Sequence, residues 1–456
     1  MKNIGIIGCG YNGAHLARVL SERGYTVTVL EKNPDMFEGI SGAFGIRLHA
    51  GPHYPRSPKT RKSCHRDFER FMEIYPELIV QHEYSVYGLG EKDADNYESK
   101  VSAKEFMEVC REFKNAEKID PEKWGYKNLL CAMNIKEEPS MIVGEPLRNV
   151  FRKHLKNIDI LFNCTVEKLE ETDDKIEIEA TLKNGNKIDR KKMEFDYVIN
   201  ATSYQSLLPK EPPPFDMDVV YQPCLALIYE DKEPTEKPFS FIVMDGAFPC
   251  LMPLLDSEMD TRRKYILTHG KYTIIDSCTN PQSARALLER LNSDKKFVDE
   301  NIRPLAEAEM IKFWPQFGQG RFQYMGWQGT VLAKIKSEKE FRSGFVFGKG
   351  RIGFMFPGKV DNSCASADES IALIEKSINI LTKGGYEYVQ GGVLDDSLVE
   401  IREKPIHAER NTGSLQTYRK LLETEERKVP TLFPPAPTEA SKDVEVEFMS
   451  KKGQTL

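Results

Sequence analysis

A glycine-rich turn between a predicted strand and a predicted helix is the feature that most constrains this chain. An apolar strand is followed by Gly8, Gly10 and Gly13 in the spacing G-x-G-x-x-G, then by an amphipathic helix and a second strand that ends at Glu31. Such glycines permit a tight turn, let a pyrophosphate approach the N-terminus of the helix and allow close packing of helix on strand. The order of these elements predicts a dinucleotide-binding unit in which Glu31 binds the ribose hydroxyls.

The continuation of the chain distinguishes between the possible dinucleotides. The acid at the end of the second strand disfavours the 2′-phosphate of NADP. An NAD-binding domain would continue with alternating strands and helices, whereas this chain enters "SGAFGIRLHAGPHYPRS", residues 41–57, which is rich in histidine, arginine and glycine. That path favours FAD as the cofactor.

The glycine motif, "VTVLEK" and "HAGPHYP" together resemble the D-amino acid oxidase superfamily of FAD-dependent oxidoreductases. The stretch "RLHAGPHYPRSPKT" is similar to segments of its L-2-hydroxyglutarate dehydrogenase and sarcosine dehydrogenase branches. The resemblance implies an α/β chain (α+β overall) in which a Rossmann-like FAD-binding domain is interrupted by an antiparallel-sheet substrate domain, and it adds Lys32 to the cofactor contacts. The expected division is 1–75, 141–215 and 341–385 for the FAD-binding domain, 76–140 and 216–340 for the substrate domain, and 386–456 for a C-terminal helix with an extended or disordered tail.

Two later segments are expected to return to the FAD-binding domain. In the first, an Asn184-Gly185 hairpin turn precedes the strand "FDYVINATS". The resemblance places Val166 near the adenine and brings the backbone of Ala201 and Thr202 close to FAD.

The second returning segment contains two predicted strands, a Pro-Gly turn and a helix. In the resembled family such a glycine turn makes the last FAD contact, and the dipole of the helix after it favours negative charge on the reduced flavin. Gly358, Lys359 and Val360 are therefore expected to contact the cofactor.

The helix after this turn has apolar residues at helical spacing. Ile371, Ile374 and Ile378 predict that it extends to residue 378. Ser366 and Glu369 fit a capping box at its start, and the alternative is a start a few residues earlier, at Asp361 or Asn362.

Residues 41–57 are expected to run along the cofactor toward its ring. Ser41 and Gly42 would pass the pyrophosphate, and Arg47 would neutralise phosphate or flavin charge. His49 matches a histidine that in some sarcosine-type relatives is bonded covalently to the flavin, so covalent attachment stays open. Gly51 would let the backbone approach the ring.

Four polar residues are the predicted catalytic group. His53 is suited to accept the proton that leaves when an amine or alcohol is oxidised, because the ordinary pKa of imidazole is about 6.5. Arg56 would bind a substrate carboxylate or phosphate, and Tyr54 lies between them in the sequence. His269, in "LTHGKY", is a second candidate that would reach in from the sheet.

The composition limits the other classes of function. The net charge of −6 is not typical of a nucleic-acid-binding domain, which is usually basic. No apolar run is long enough to cross a membrane. The N-terminus has no hydrophobic segment with a cleavage site, so a cytoplasmic location is expected. Nine scattered cysteines without a C-x-x-C pair predict reduced thiols and no metal site.

The sequence leaves the reaction partly open. The leading prediction is an FAD-dependent oxidoreductase that removes hydride from a C–N or C–O bond of a small polar substrate, such as an amino acid, a secondary amine or a 2-hydroxy acid. The electron acceptor, oxygen or quinone, and an oligomeric state stay open. The alternatives are a non-redox flavoenzyme resembling UDP-galactopyranose mutase and a flavin-free scaffold protein.

Overall fold

A computed structural model of the chain describes residues 2–44, 46–113, 115–136, 138–257 and 263–402. The predicted helix in "TGSLQTYRKLLETEERK" and the tail after it lie outside the described residues.

The described residues form strands throughout their length. In chain order these are β1 (Asn3–Ile7), β2 (Thr26–Leu30), β3 (Ile46–Arg47), β4 (Ile79–Gln81), β5 (Tyr84–Gly90), β6 (Ala116–Ile119), β7 (Leu129–Ile135), β8 (Pro139–Met141), β9 (Asp159–Leu161), β10 (Cys164–Glu171), β11 (Ile176–Asn184), β12 (Lys187–Phe195), β13 (Tyr197–Asn200), β14 (Val219–Asp231), β15 (Phe239–Met244), β16 (Pro249–Leu254), β17 (Arg263–His269), β18 (Phe322–Ile335), β19 (Phe345–Lys349), β20 (Ile352–Phe356), β21 (Ile380–Lys383) and β22 (Tyr386–Val389).

Helices connect and cover these strands. They are α1 (Tyr11–Glu22), α2 (Ile40–Ala43), α3 (Pro58–Ile74), α4 (Ala103–Arg111), α5 (Gly144–His154), α6 (Pro281–Ser293), α7 (Lys295–Phe297), α8 (Arg303–Phe313), α9 (Ser363–Glu375) and α10 (Val393–Arg402), with short 3₁₀ or π turns at Pro76–Leu78, Val298–Ile302, Pro315–Gly318 and Val360–Asn362. None of these described helices combines the length and the apolar composition that a bilayer crossing needs.

The first of two large sheets has eight strands in the order β21-β22-β19-β20-β13-β1-β2-β9. Strands β20, β13, β1, β2 and β9 are parallel, and β19, β22 and β21 are antiparallel. Parallel neighbours need a crossover connection, and α1 supplies it between β1 and β2. This is the arrangement expected of a Rossmann-like unit, and it confirms the predicted α/β class.

Each face of the first sheet is covered by a different layer. Successive residues of a strand point to opposite faces. Ile4 and Ile6 therefore join a core with α1 and α9, while Ile7, Leu30 and Val198 pack against the three-stranded antiparallel sheet β10-β11-β12. The predicted hairpin is confirmed, because Asn184 of β11 is paired with Lys187 of β12. The strand ends that carry the glycine turn are held between two packed layers.

The second large sheet has the order β18-β14-β17-β16-β15-β5-β7-β6. It is antiparallel except for one parallel pair, β5 with β15. Helices α6 to α8, which the sequence reading did not predict, cover one face with an aromatic core. A small three-stranded sheet has the order β3-β8-β4. Its strands β3 and β4 precede the second large sheet in the chain, and β8 follows the first strands of that sheet, β5, β6 and β7.

The end of the described chain differs from the expectation. A C-terminal helix and tail were expected from residue 386, but β22 pairs with β19 in the first sheet, and α10 packs beside it through Val393 and Leu394. Helix α9 ends at Glu375 because Lys376 adopts a left-handed conformation, so Ile378 lies beyond it and is fully exposed. Helix α9 begins at Ser363 with Asn362 as its N-cap, so its start lies next to the earlier predicted start and not at Ser366.

Candidate active site

The glycine turn after β1 is built by close backbone packing. Gly8 has a φ of +100°, and a Cβ at Gly13 would lie only 2.0 Å from the carbonyl oxygen of Gly8. Glu31 is buried, and its carboxylate accepts hydrogen bonds from the backbone N–H of Cys9 at 2.7 Å and of Asn33 at 3.0 Å. The turn and the acid are therefore fixed at neighbouring strand ends.

A cavity of about 470 Å³ lies where the carboxyl ends of β1, β13 and β20 meet the second sheet. This volume is typical of a small-molecule or cofactor site. Most of the predicted site residues line it, namely Gly10, Ser41, Arg47, His49, His53, Tyr54, Arg56, Ala201, His269, Gly358, Lys359 and Val360. Residues separated by more than 300 positions in the chain are thus brought to one cavity.

The other predicted site residues are absent from the wall of this cavity; these are Gly8, Gly13, Glu31, Lys32, Gly42, Gly51, Val166 and Thr202. Lys32 is exposed, and Val166 is partly buried beside the small sheet. The Thr202 hydroxyl donates to Asn200 Oδ1 at 2.7 Å. Their predicted contacts with the cofactor stay predictions.

Two of the predicted glycines are explained by packing within the protein. A Cβ at Gly42 would lie 2.0 Å from the carbonyl oxygen of Phe37. Gly51 has a φ of +117°, and its Cβ would lie 3.0 Å from the Cα of Arg61 in α3. The close approach at Gly51 is therefore made to a helix backbone, and its expected contact with the flavin ring stays a prediction.

Arg47 and His53 make a polar contact at the cavity wall. The Nη2 atom of Arg47 lies 3.1 Å from Nδ1 of His53. Arg47 Nε is 3.4 Å from Glu138 Oε2, an ion pair whose alignment is too poor for a hydrogen bond, and the Tyr87 hydroxyl donates to Glu138 Oε1 at 2.5 Å. Burial lowers the pKa of His53 well below its ordinary value, and Arg47 lowers it further.

Arg56 is already paired with protein groups. Its Nε donates to Asp245 Oδ1 at 2.7 Å, and its Nη2 lies 2.9 Å from Glu340 Oε1. These two carboxylates occupy the guanidinium that was expected to bind a substrate carboxylate, so the structure does not support that role. Arg56 instead joins the segment after α2 to the second sheet.

His269 is held by the turn that follows β17. Its Nδ1 accepts hydrogen bonds from the backbone N–H of Lys271 at 3.1 Å and of Tyr272 at 3.3 Å. The opposite ring atom, Nε2, is buried and has no partner among the described residues. Burial lowers the pKa of His269 to about 3, so the ring is neutral.

Three cations of the cavity wall make no ion pair with a carboxylate of the described residues: Lys334, Arg342 and Lys359. Burial lowers the pKa of Lys334 to about 8 and that of Lys359 to about 7. Lys359 Nζ lies 5.1 Å from the centre of the ring of Tyr54, which is itself buried. Sequence reasoning missed Lys334 and Arg342, although a lysine within the apolar run "TVLAKI" is a visible signal.

A family model described as DAO, FAD dependent oxidoreductase, matches residues 3–348. The chain belongs to this family of FAD-dependent oxidoreductases. The resemblance inferred from the glycine motif and "HAGPHYP" is thereby confirmed, and so is FAD as the cofactor of the family.

Curated relatives support the same family assignment. The chain is 43% identical over 429 residues to FAD-dependent monooxygenase kojA of Aspergillus flavus, which covers 92% of this chain and 97% of that relative. It is 25% identical over 381 residues to FAD-dependent monooxygenase FPY4 of Fusarium mangiferae, with 82% and 91% covered.

Solved structures with the same fold are flavoenzymes of low sequence identity. Glycine oxidase from Geobacillus kaustophilus is 12% identical with a TM-score of 0.58, and the match covers 82% of this chain and 95% of that one. NikD, an amino acid oxidase of nikkomycin biosynthesis, is also 12% identical with a TM-score of 0.59, over 81% and 93%. At this identity the likeness concerns the fold alone.

The residues of this FAD-dependent oxidoreductase fit its cofactor. Buried polar groups in proteins normally have partners, yet both ring nitrogens of His49 and the Oδ2 atom of Asp361 have none among the described residues. Both residues line the cavity, together with the turn at Gly358. A ligand with many polar atoms would supply the missing partners, and the glycine turn with Glu31 would hold its nucleotide end.

Proposed function

We propose that this FAD-dependent oxidoreductase oxidises a C–N or C–O bond of a small substrate that carries a negative charge. The observation that supports the proposal is a pair of cavity cations, Lys334 and Arg342, that make no ion pair with a carboxylate of the described residues. Both side chains are partly withdrawn from water, where a cation without an ion-pair partner is less stable than in bulk solvent. A carboxylate or another anionic group on the substrate would therefore be bound strongly here.

The residues of the chain would orient the substrate and move its proton. Bound FAD supplies the hydride acceptor. Arg342 can bind a carboxylate through two parallel N–H groups, and Lys334 adds a second positive charge. Apolar residues of β15 and its neighbourhood, including Met244 and Phe248, line the same cavity and would exclude water.

Lys359 is the group we propose as the proton acceptor. Oxidation of an amine or alcohol carbon releases a proton from nitrogen or oxygen as hydride leaves the carbon. Because the pKa of Lys359 is lowered to about 7, a large fraction of its Nζ is neutral at physiological pH and can accept that proton. An efficient general base has a pKa close to the working pH.

The visible spectrum of the purified protein, before and after acid precipitation, is the first experiment. We expect a flavin spectrum, and flavin that stays in the pellet would establish a covalent bond, for which His49 is the candidate. The holoenzyme is then mixed without oxygen with amino acids, secondary amines and 2-hydroxy acids, and with the amide or ester of each. Bleaching of the flavin by an acid but not by its neutral analogue supports the proposal. If none of these compounds bleaches the flavin, the proposal is contradicted. Turnover of a substrate without net redox change would favour the mutase-like alternative.

A second candidate function is monooxygenation of the substrate. It is favoured by the 43% identity over nearly the whole chain to a relative named FAD-dependent monooxygenase. The two functions are separated by turnover in ¹⁸O₂. An oxidase releases one hydrogen peroxide per substrate and leaves the product unlabelled, whereas a monooxygenase inserts one ¹⁸O atom into the product.

A further inference from the structure

The contact between Arg47 and His53 fixes the position of the imidazole proton. A guanidinium has five N–H donors and no acceptor. Arg47 Nη2, at 3.1 Å, must therefore donate to Nδ1 of His53, which carries no hydrogen. In a neutral imidazole the other nitrogen then bears the proton. His53 is thus an Nε2–H tautomer.

The charges around His53 disfavour a second proton. Arg47, Lys359 and Arg342 are the charged groups whose fields act on the ring, and all three are cations when protonated. A proton on Nδ1 would also have to displace the Arg47 donor. The ring therefore stays neutral, in agreement with its strongly lowered pKa.

Arg47 is itself held in place from the side away from His53. The carboxylate of Glu138 forms the ion pair with Arg47 Nε, and the Tyr87 hydroxyl holds that carboxylate. The guanidinium also lies over the ring of Tyr87, with Cζ 5.0 Å from the ring centre. Glu138 and Tyr87 are thus positioning residues for a donor to His53.

The free nitrogen of His53 faces the cavity. His53 lines the cavity, and no described residue hydrogen-bonds its Nε2. His269 shows the same pattern independently, since two backbone N–H groups occupy its Nδ1 and its buried Nε2 has no described partner. His53 and His269, two of the three histidines of the wall, therefore each present an N–H where a base would need a lone pair.

We propose that His53 is a fixed hydrogen-bond donor to the ligand, set as the Nε2–H tautomer by Arg47 and Glu138, and does not act as the base of the reaction. The proposal rests on the proposed function for the identity of the ligand. It means that the ligand presents an oxygen or nitrogen lone pair to His53. A donor preorganised in this way stabilises negative charge that develops during the reaction.

The tautomer can be read without any substrate. The FAD-loaded enzyme is labelled with ¹⁵N-histidine, and long-range ¹⁵N–¹H spectra distinguish the Nδ1–H, Nε2–H and doubly protonated forms. The signals of His53 are those lost in His53→Gln. We expect the Nε2–H pattern from pH 6 to pH 9, and Glu138→Gln, which frees Arg47 to leave Nδ1, should introduce the Nδ1–H tautomer. A wild-type Nδ1–H or imidazolium pattern at pH 7 would overturn the proposal.

Two substitutions of similar size test the role in the reaction. The amide nitrogen of His53→Gln can replace the Nε2 donor but cannot accept a proton, whereas the shorter amide of His53→Asn reaches only the Nδ1 position. We expect flavin reduction in His53→Gln to stay within about 10-fold of wild type, and His53→Asn and His53→Ala to lose about 100-fold. Equal losses in Gln and Ala, with FAD still bound, would contradict the donor role. If no substrate reduces the wild-type flavin, the proposed function fails while the tautomer measurement still stands.

Discussion

A Cβ at Gly358 would lie 1.8 Å from the backbone nitrogen of Gly344. The turn after β20 therefore passes the start of β19 at a distance that only glycine permits. This crossing holds the segment from Gly358 to Asp361 at the cavity wall, between the first sheet and α9.

Gly358→Ala is expected to destabilise the protein and weaken FAD retention. One of two backbone segments must move, and overpacking of this kind costs typically ~1–3 kcal/mol. Gly39→Ala is the matched control, because a Cβ at Gly39 meets nothing within 4 Å. Thermal unfolding and flavin content measure both. If Gly358→Ala is as stable and binds as much flavin as Gly39→Ala, the backbone of this turn can move without loss of stability and the prediction is contradicted.

Glu31→Gln is expected to raise the dissociation constant of FAD by about 10- to 100-fold, because a hydrogen bond to a charged group contributes ~1.5–3 kcal/mol. The glutamine oxygen can still accept from the backbone N–H of Cys9, so this contact of the glycine turn is kept, whereas the hydrogen bonds from Asn33 to the second carboxylate oxygen are lost. Glu38→Gln, an exposed acid on the same segment, serves as the control. Equal FAD affinity in both variants would remove Glu31 from the ribose site.

The part of the site that the sequence predicts is local in the chain. The glycine turn and residues 47–56 are contiguous motifs, and their backbone path alone brings Arg47, His49 and His53 to one cavity wall. Lys334 reaches the same wall through the pairing of β18 with β14 at the edge of the second sheet, and Arg342 lies in the segment that leads from β18 to β19. Pairing between distant strands has no signature in a short stretch of sequence.

The roles of the predicted residues depend on partners that local patterns do not reveal. A histidine such as His53 could act as a base, but the hydrogen bond from Arg47 to its Nδ1 makes its other nitrogen a donor. An arginine such as Arg56 could bind an anionic ligand, but its guanidinium is already paired with Asp245, which lies 189 positions further along the chain. The contiguous motif thus predicts which of its side chains reach the cavity. Contacts with residues distant in the chain decide which of their protons and charges remain available to a ligand.

Asp361→Asn is expected to stabilise the protein increasingly as the pH rises from 5 to 8. Burial raises the pKa of Asp361 to about 8, from an ordinary value of 3.8. Between these values the unfolded chain releases the proton and the folded chain keeps it, so wild-type stability falls as pH rises. The asparagine removes this dependence. Thermal midpoints at pH 5 and pH 8, with exposed Asp396→Asn as control, measure the effect. A difference in thermal midpoint between Asp361→Asn and the wild type that becomes smaller as the pH rises would contradict the prediction.

Arg342→Met is expected to raise KM for an anionic substrate by about 10- to 100-fold with a small change in kcat. The loss corresponds to one charge-assisted hydrogen bond of ~1.5–3 kcal/mol, made equally in ground and transition states. Lys336→Met, a lysine beyond the end of β18 and outside the cavity wall, should change neither constant. A substrate whose KM is unaffected by Arg342→Met binds its anionic group elsewhere.

Lys359 should set the pH dependence of flavin reduction. Its lowered pKa of about 7 means that the neutral amine forms as pH rises through 7, so the anaerobic reduction rate should increase over that range and level off above it. Lys359→Arg keeps the positive charge but cannot lose a proton near neutral pH. It should therefore reduce flavin about 100- to 10,000-fold more slowly, with the step at pH 7 abolished and FAD still bound. Stopped-flow reduction from pH 6 to pH 9 compares the two proteins. If Lys359→Arg keeps the wild-type step, another group takes the proton. Because His53 is fixed as a donor, that group must be sought among the other titratable groups of the cavity wall, such as Lys334, or on the substrate or the cofactor.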